Sequence, residues 1–154
     1  DRFLRCCMQW DDSENAGFTT NAKSWNIINQ NYPDYNVKKM EGDENSILNH
    51  YRKLINIRKE NTALSLGSFQ SLPTIGKNET IIAYYREHEG NKIVVIHNFS
   101  AKKGKIKLDL TGTGLETGSP QFETLLGDIK LSVKKNVLSS ASINANSSVI
   151  LKVK

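Results

Sequence analysis

The stretch Arg5-Cys6-Cys7-Met8-Gln9-Trp10-Asp11-Asp12, followed by Asn15-Ala16-Gly17-Phe18-Thr19, gathers a guanidinium, an indole, amides and carboxylates into one short segment. A second dense segment follows, with Trp25, Asn29, Asn31-Tyr32 and Tyr35-Asn36-Val37. Loops crowded with aromatic rings and amides are usually held in place for binding or catalysis. Aromatic faces with neighbouring amides and one arginine suit a polyhydroxylated ligand such as a sugar. Arg5 is the residue best able to grip a substrate hydroxyl, provided a carboxylate orients its fork and balances its charge.

The acids nearby are less promising. Glycoside hydrolysis needs two carboxylates facing each other across a bond. Asp11, Asp12 and Glu14 are neighbours, and adjacency is not opposition. Their plain reading is a structural or solvated acidic turn. A calcium loop is excluded, because the required glycine falls one place late at Gly17 and Ala22 stands where a bidentate glutamate belongs. Gly112-Thr113-Gly114 lacks the following helix and the Lys-Ser/Thr pair of a phosphate loop, so it reads as a turn. No Gly-x-Ser-x-Gly elbow is present. His97 lies among Val94, Val95, Ile96 and Phe99, which suggests a core or edge residue rather than a base. Neither the three histidines nor the two cysteines have zinc-ligand spacing. No metal or other cofactor is called for. Cys6 and Cys7 are adjacent, which strains a disulfide between them, so two buried or half-buried thiols are expected.

These residues need elements to hold them. Residues 1–42 have no sustained period, yet they are too many for a free loop in a compact domain. They must wrap against something. Residues 44–60 are expected as a helix, with Asp43 as N-cap and Ile47, Leu48, Tyr51, Leu54, Ile55 and Arg58 forming one apolar packing stripe. From residue 63 the period changes to two. Strands are expected at 64–72, 80–86, 92–99, 105–110, 122–126, 129–133 and 148–153, with a hairpin turn at Glu89-Gly90-Asn91 and a loop at 111–120. Short strands in this number indicate an antiparallel sandwich or barrel. The strand region promises no cluster of exposed aromatics, which argues against an autonomous sugar-binding module.

The whole chain has 154 residues, enough for one domain or a small domain with an appendage. It is 38% hydrophobic and 24% charged, with no apolar run able to span a membrane. Its net charge is +5, and its isoelectric point is about 9.2. The lysines are scattered and alternate with apolar residues on expected strands. That pattern serves solubility and edge protection better than a nucleic-acid interface, so no nucleic-acid partner is expected. The chain opens at Asp1-Arg2-Phe3 rather than at a methionine, as a processed product or a piece of a longer protein would. Asn78, Asn98 and Asn146 head Asn-x-Ser/Thr triplets and are possible glycosylation sites, with Asn78 the easiest in its turn.

The combination of Arg5-x-x-Met8-Gln9-Trp10-Asp11, Asn15-Ala16-Gly17-Phe18-Thr19-Thr20, Trp25, Asn29-x-Asn31-Tyr32, Asn36-Val37 and Tyr51-x-x-Leu54-Ile55-x-x-Arg58-Lys59 resembles the C-terminal part of glycoside hydrolase family 13 α-glucosidases. That group includes maltases, oligo-1,6-glucosidases, dextran glucosidases and trehalose-6-phosphate hydrolases. The resemblance covers essentially the whole chain. It is specific to about residue 60 and is a general β-domain likeness beyond.

The resemblance implies a mainly β fold with one long helix. Residues 1–62 would be the end of a catalytic (β/α)8 barrel, namely the loop after its last strand and its final helix. Residues 63–154 would be an antiparallel C-terminal β-sandwich packed on that barrel. The enzyme would cut terminal α-linked glucose with retention of configuration. Its catalytic carboxylates would all lie upstream, so no catalytic residue is expected within these 154. Arg5 would bind substrate, paired with a barrel aspartate at the non-reducing glucose. Met8, Gln9, Trp10, Asn15, Phe18 and Trp25 would support the loop.

The partners implied are an α-glucoside, met through the full-length enzyme, and the remainder of the barrel. The alternative is a non-catalytic family relative, such as the heavy chain of an amino-acid transporter or a receptor. The sequence departs from the family where Cys6 and Cys7 replace a Thr/Ser-Pro pair, and where Ser24 replaces a proline before Trp25. The loop before Trp25 is one residue longer than in the common bacterial form and closer to insect-type maltases. An insect-type protein would be secreted or membrane-anchored, and a bacterial-type one cytoplasmic.

Overall fold

The computed structural model describes residues 2–76, 78–116 and 119–154, with Arg2 and Phe3 described in backbone only. Residues 77, 117 and 118, which belong to the expected turn and loop, lie outside the described residues. The chain forms two compact units, 1–56 and 57–154.

The first unit is an irregular segment with a helical turn at Arg2–Arg5, a tight turn at Glu14–Gly17, helix α1 at Val37–Gly42 and most of helix α2 at Ile47–Glu60. Helix α1 was not legible in the sequence, because six residues are too few to show a period. The N-cap of α2 is Ser46 rather than the expected Asp43. The Ser46 hydroxyl accepts from Asn49 N at 3.2 Å, whereas Asp43 closes α1 and accepts from Asn45 N at 2.9 Å. A short helix followed at once by a longer one lets each polar residue serve its own terminus. The stripe Ile47, Tyr51 and Ile55 runs along α2 and is 71%, 62% and 49% exposed, so it is not covered within this chain.

The second unit is a two-layer sandwich. Its strands are β1 (Gln70–Ser71), β2 (Ile81–His88), β3 (Asn91–Asn98), β4 (Gly104–Asp109), β5 (Phe122–Leu126), β6 (Ser132–Lys134), β7 (Val137–Ile143) and β8 (Ser147–Val153). One sheet has the order β1-β2-β3-β8-β5, and the other β4-β7-β6. Every pairing is antiparallel. Glu89 and Gly90 both take positive φ, giving the two-residue turn whose twist matches the β2–β3 hairpin. Between the layers lies one core, built on Ile81, Ala83, Tyr85, Val94, Ile96, Leu108, Leu138, Val149 and Leu151. Alternation along the strands sends these side chains inward.

Three strand expectations change. Residues 64–72 are not one strand. Ala63–Leu66 forms a short helix, α3, and only Gln70 and Ser71 pair with β2. A continuous apolar run of this length suits a strand or a buried helical turn equally. Arg86 explains the outcome. Its guanidinium reaches the carbonyls of Gly67 (2.6 Å), Ser68 (2.9 Å) and Leu64 (3.4 Å), fastening the end of α3 to β2. Strand β6 begins three residues later than expected and ends one residue later. Strand β7 was missed, because Val137-Leu138-Ser139-Ser140-Ala141-Ser142-Ile143 alternates only weakly.

The exposed aromatics of this unit also differ from expectation. On the outer face of the larger sheet, Phe69 stacks on Tyr84 with centroids 5.2 Å apart, His97 follows at 6.0 Å, and Phe99 at 5.8 Å from His97. The sequence hid this row because its members come from three separate segments. His97 lies on this outer face and not in the core. It is half-buried between rings, its Nδ1 lies 2.7 Å from Ser148 Oγ, and burial lowers its pKa.

A pH dependence follows from the β4–β7 end of the smaller sheet. The Asp109 carboxylate accepts from Thr111 Oγ1 (2.7 Å), Thr111 N (2.9 Å) and Asn136 Nδ2 (3.0 Å). The Thr111 hydroxyl, then the Thr111 N–H and the Asn136 amide, hold the carboxyl below its ordinary range. A carboxylate with a depressed folded pKa stabilises the fold above its unfolded pKa near 4, and that contribution disappears as pH falls through the lower folded value. Asp109→Asn is expected to lower the melting temperature at neutral pH and to lower it progressively less as the pH falls below about 4. Parallel melting curves across that range would contradict the assignment.

Candidate functional site

The segment carrying Arg5 is irregular but extensively bonded. Arg5 itself is exposed at the end of the Arg2–Arg5 turn, and its carbonyl accepts from Asn26 Nδ2 at 2.7 Å. Two residues on, Cys7 is buried, with its N–H on Ile27 O at 3.0 Å and its thiol on Asn26 O. The Cys6 thiol is half-buried and donates to Asn29 Oδ1 at 3.6 Å. The expected pair of buried or half-buried thiols is what the structure contains. They tie residues 5–7 to residues 26–29.

The next residues are held by α1. The N-terminal amides of a helix have no partners within it. Here Val37 N donates to Gln9 O and Lys38 N to Trp10 O, both at 3.0 Å, while Lys39 N donates to Asn36 Oδ1 at 2.9 Å. The Gln9 amide in turn donates to Tyr35 O at 2.7 Å and to Asn31 Oδ1 at 3.2 Å. Asn36 is only 2% exposed and also donates to Tyr32 O at 2.8 Å. It is the pivot of this arrangement, and sequence reasoning gave it no role. The available signal was an amide at N-cap position before Val37-Lys38-Lys39. Asn26 was missed for the same reason.

The acidic turn closes on itself. Trp10 N donates to Ala16 O at 2.8 Å, and Asp11 Oδ1 accepts from Ser13 N at 2.9 Å and from the Ser13 hydroxyl. The Ser13 hydroxyl, then its N–H, lower the Asp11 pKa. The Asp11 carboxylate closes the turn through these bonds. Asn15, Ala16 and Gly17 take successive φ values of 54°, 56° and 65°, and Ala16 is fully buried. A Cβ on Gly17 would lie 2.6 Å from Asp11 Oδ1. Gly17→Ala is therefore expected to destabilise this unit by about 1–3 kcal/mol. Both tryptophans of the chain, Trp10 and Trp25, lie in this unit. Their fluorescence in a denaturant titration reads the effect directly, and an unchanged midpoint would contradict it.

The remaining residues fall on two sides of this arrangement. Asn15 Nδ2 donates to Asn21 O at 2.9 Å, and Phe18 is half-buried with its N–H on Asn15 O. Met8, Trp10, Trp25 and Tyr35 present exposed side chains, Trp25 the most at 71%. The structure thus fixes backbone and amides inward and leaves Arg5 and several aromatic groups facing outward. Among the described residues, no group of His, Cys, Asp and Glu is placed to hold a metal ion, and no helix is long and apolar enough to cross a membrane.

The possible glycosylation sites are unequal. Asn98 is 2% exposed, with Nδ2 bonded to Lys102 O and Asn144 O. Asn78 Nδ2 donates to Lys105 O at 3.0 Å. Asn146 is exposed and Asn78 is half-buried in its turn.

Comparison with known proteins matches this arrangement to one family. The profile of the α-amylase catalytic domain matches residues 1–67, and that of the α-amylase SusG C-terminal domain matches residues 81–150. The chain belongs to glycoside hydrolase family 13. The oligo-1,6-glucosidase of Bacillus cereus is 40% identical over 99 residues, which are 64% of this chain and 17% of that enzyme. The trehalose-6-phosphate hydrolase of Bacillus subtilis is 38% identical over 95 residues, 62% of this chain and 16% of that enzyme. Among solved structures, trehalulose synthase MutB, in a variant bound to its substrate sucrose, superposes with a TM-score of 0.70 at 36% identity, covering 97% of this chain and 25% of that one. This family-13 chain therefore spans about a sixth of those curated relatives' length and a quarter of that structure. Its fold is the end of the family's catalytic barrel followed by a C-terminal β-sandwich.

Proposed function

We propose that this chain is the C-terminal part of a retaining α-glucosidase that removes terminal α-linked glucose from maltose or short α-glucans. Residues 1–62 complete the catalytic barrel, and residues 63–154 form its C-terminal domain. The carboxylates that perform the chemistry lie upstream, and this part contributes structure and one wall of the substrate site. The observation that carries the reading is the Arg5 segment. Asn26 Nδ2 holds the Arg5 carbonyl and the α1 amides of Val37 and Lys38 hold those of Gln9 and Trp10, while the side chains of Arg5, Trp10 and Trp25 stay exposed. A surface held this firmly and left uncovered suits contact with substrate and with further protein. The exposed stripe Ile47, Tyr51 and Ile55 on α2 supports the same view, since a barrel helix buries such a stripe against its neighbours.

In the mechanism, Arg5 binds and orients the non-reducing glucose through its planar fork, with a barrel carboxylate balancing its charge. Trp10 and Trp25 offer apolar ring faces beside it. The bond is cleaved by an acid and a nucleophile opposed across it, and Asp11 is not one of them because its carboxylate closes its own turn. The test uses the protein extended through the upstream residues of its own gene. It should hydrolyse an aryl α-glucoside, and proton NMR should show α-glucose released first. β-Glucose as first product, or no hydrolysis, would overturn the proposal.

A further inference from the structure

In sequence the lysines are scattered, but folding gathers several of them on the outer face of the smaller sheet. On β4, Ile106 and Leu108 enter the core, so Lys105 and Lys107 alternate outward and are exposed. On β6, Val133 packs against the core, so Ser132 and Lys134 face outward. Between these strands lies β7, with Ser139 paired to Lys107 on one side and to Ser132 on the other. The hydroxyls of Ser132 and Ser139 meet at 3.0 Å on this face. Lys103 just before β4 and Lys135 in the β6–β7 turn are exposed beside it.

Edge protection accounts for Lys134, because β6 is an edge strand. It does not account for Lys105 and Lys107. The free side of β4 is already covered, with Thr74 bridged to Leu108, Ile75 N on Lys107 O at 2.8 Å and Asp109 N on Pro73 O at 3.0 Å. Neighbouring acids do not neutralise these charges either. Among the described residues, ion pairs form at Lys39, Arg52 and Lys154, and none involves the lysines of this face. Asp109, the acid on β4, spends its carboxylate on Thr111 and Asn136. Clustered lysines with so little opposing charge give the face a positive potential.

The composition of the face selects its partner. No aromatic ring is exposed on β4, β6 or β7, so stacked bases have no platform, and the large apolar anchors of a protein interface are missing. Among the described residues, the one large apolar side chain exposed beside these lysines is Ile75, which lines a shallow concavity with Thr74, Lys105 and Lys107. Neighbouring strands lie about 4.8 Å apart, so β4 and β6 carry their lysines about 10 Å apart. Only side chains of β7 such as Ser139 stand between them. Charges set out level on a short flat face, rather than converging on one point, match a plane of anionic headgroups.

We infer that the outer face of the smaller sheet docks this chain on an anionic lipid surface, with Lys105, Lys107 and Lys134 as its main contacts. The inference is independent of the glucosidase proposal, since no catalysis enters it. Its test is sedimentation of the 154-residue chain with vesicles. Vesicles of phosphatidylglycerol and phosphatidylcholine in equal parts should carry the chain down, and vesicles of phosphatidylcholine alone should not. Each lysine near such a surface is worth about fivefold in affinity, so Lys105→Gln, Lys107→Gln and Lys134→Gln together should weaken binding by on the order of 100-fold. Raising the salt to about 1 M, where screening acts within about 3 Å, should release the parent chain.

Two further variants separate a docking face from bulk charge. Lys23→Gln, Lys53→Gln and Lys59→Gln together remove the same charge from exposed positions outside the strands, and should weaken binding by less than about threefold. Lys105→Arg, Lys107→Arg and Lys134→Arg together keep the charge and should bind as the parent does. No binding to the anionic vesicles, or equal weakening by the two glutamine sets, would overturn the inference. A short duplex oligonucleotide tests the other occupant, and the vesicle-bound fraction should survive its addition. A duplex bound more tightly than the vesicles through the same three lysines would assign the face to nucleic acid and overturn the lipid assignment.

Discussion

Arg5→Ala in the upstream-extended protein is expected to lower kcat/KM for an α-glucoside by about 10²-fold, the loss that follows when a charged hydrogen-bond donor to substrate is removed. The prediction is sharp because the side chain and backbone of Arg5 do separate things. Its carbonyl is held by Asn26, and Cys7 beside it is buried with its N–H on Ile27 O. Those backbone bonds persist in the alanine variant. Arg5→Lys should recover only part of the loss. An ammonium keeps the charge but lacks the fork that grips two oxygens at once. Wild-type kinetics for Arg5→Ala would remove Arg5 from the substrate site and leave the fold assignment standing.

Leu108→Ala should be the most damaging single change in the sandwich, at about 2–5 kcal/mol. Leu108 is fully buried on β4, opposite Leu138 in the register and bridged to Thr74 on its other side. It belongs to the core that holds the two sheets together. Truncation leaves a cavity that rigid strands on both sides cannot close. For a unit of this size the melting temperature should fall by on the order of 15 °C. A fall of only a few degrees would mean that the sheets can move together, and that the core is less closely packed than the buried residues indicate.

The sequence made some of this legible and hid the rest for physical reasons. The β2–β3 hairpin was readable because Glu89-Gly90 supplies two left-handed residues between alternating runs. Helix α2 was readable from its stripe, although its cap was Ser46, because a preceding helix had already claimed Asp43. Strand β7 was lost because serines on both faces flatten the alternation. The run at 64–72 misled because apolar residues alone do not separate a strand from a buried helical turn, and the guanidinium of Arg86, about twenty residues away, decides the matter. The aromatic row could not be read at all, since its rings meet only after β1, β2 and β3 have paired. At the site, Arg5, Gln9 and Trp10 stood out by type, while Asn26 and Asn36, which fix them, look like ordinary amides until their bonds are seen.

The central claim is that this chain forms one wall of a glucosidase site whose catalytic acids lie elsewhere. The most direct test is a sensitive assay of the purified 154-residue chain on maltose and on an aryl α-glucoside. The expected result is no hydrolysis above background. Hydrolysis by the chain alone, abolished by Asp11→Asn or Glu14→Gln, would place the catalytic carboxylates within these residues and contradict the account.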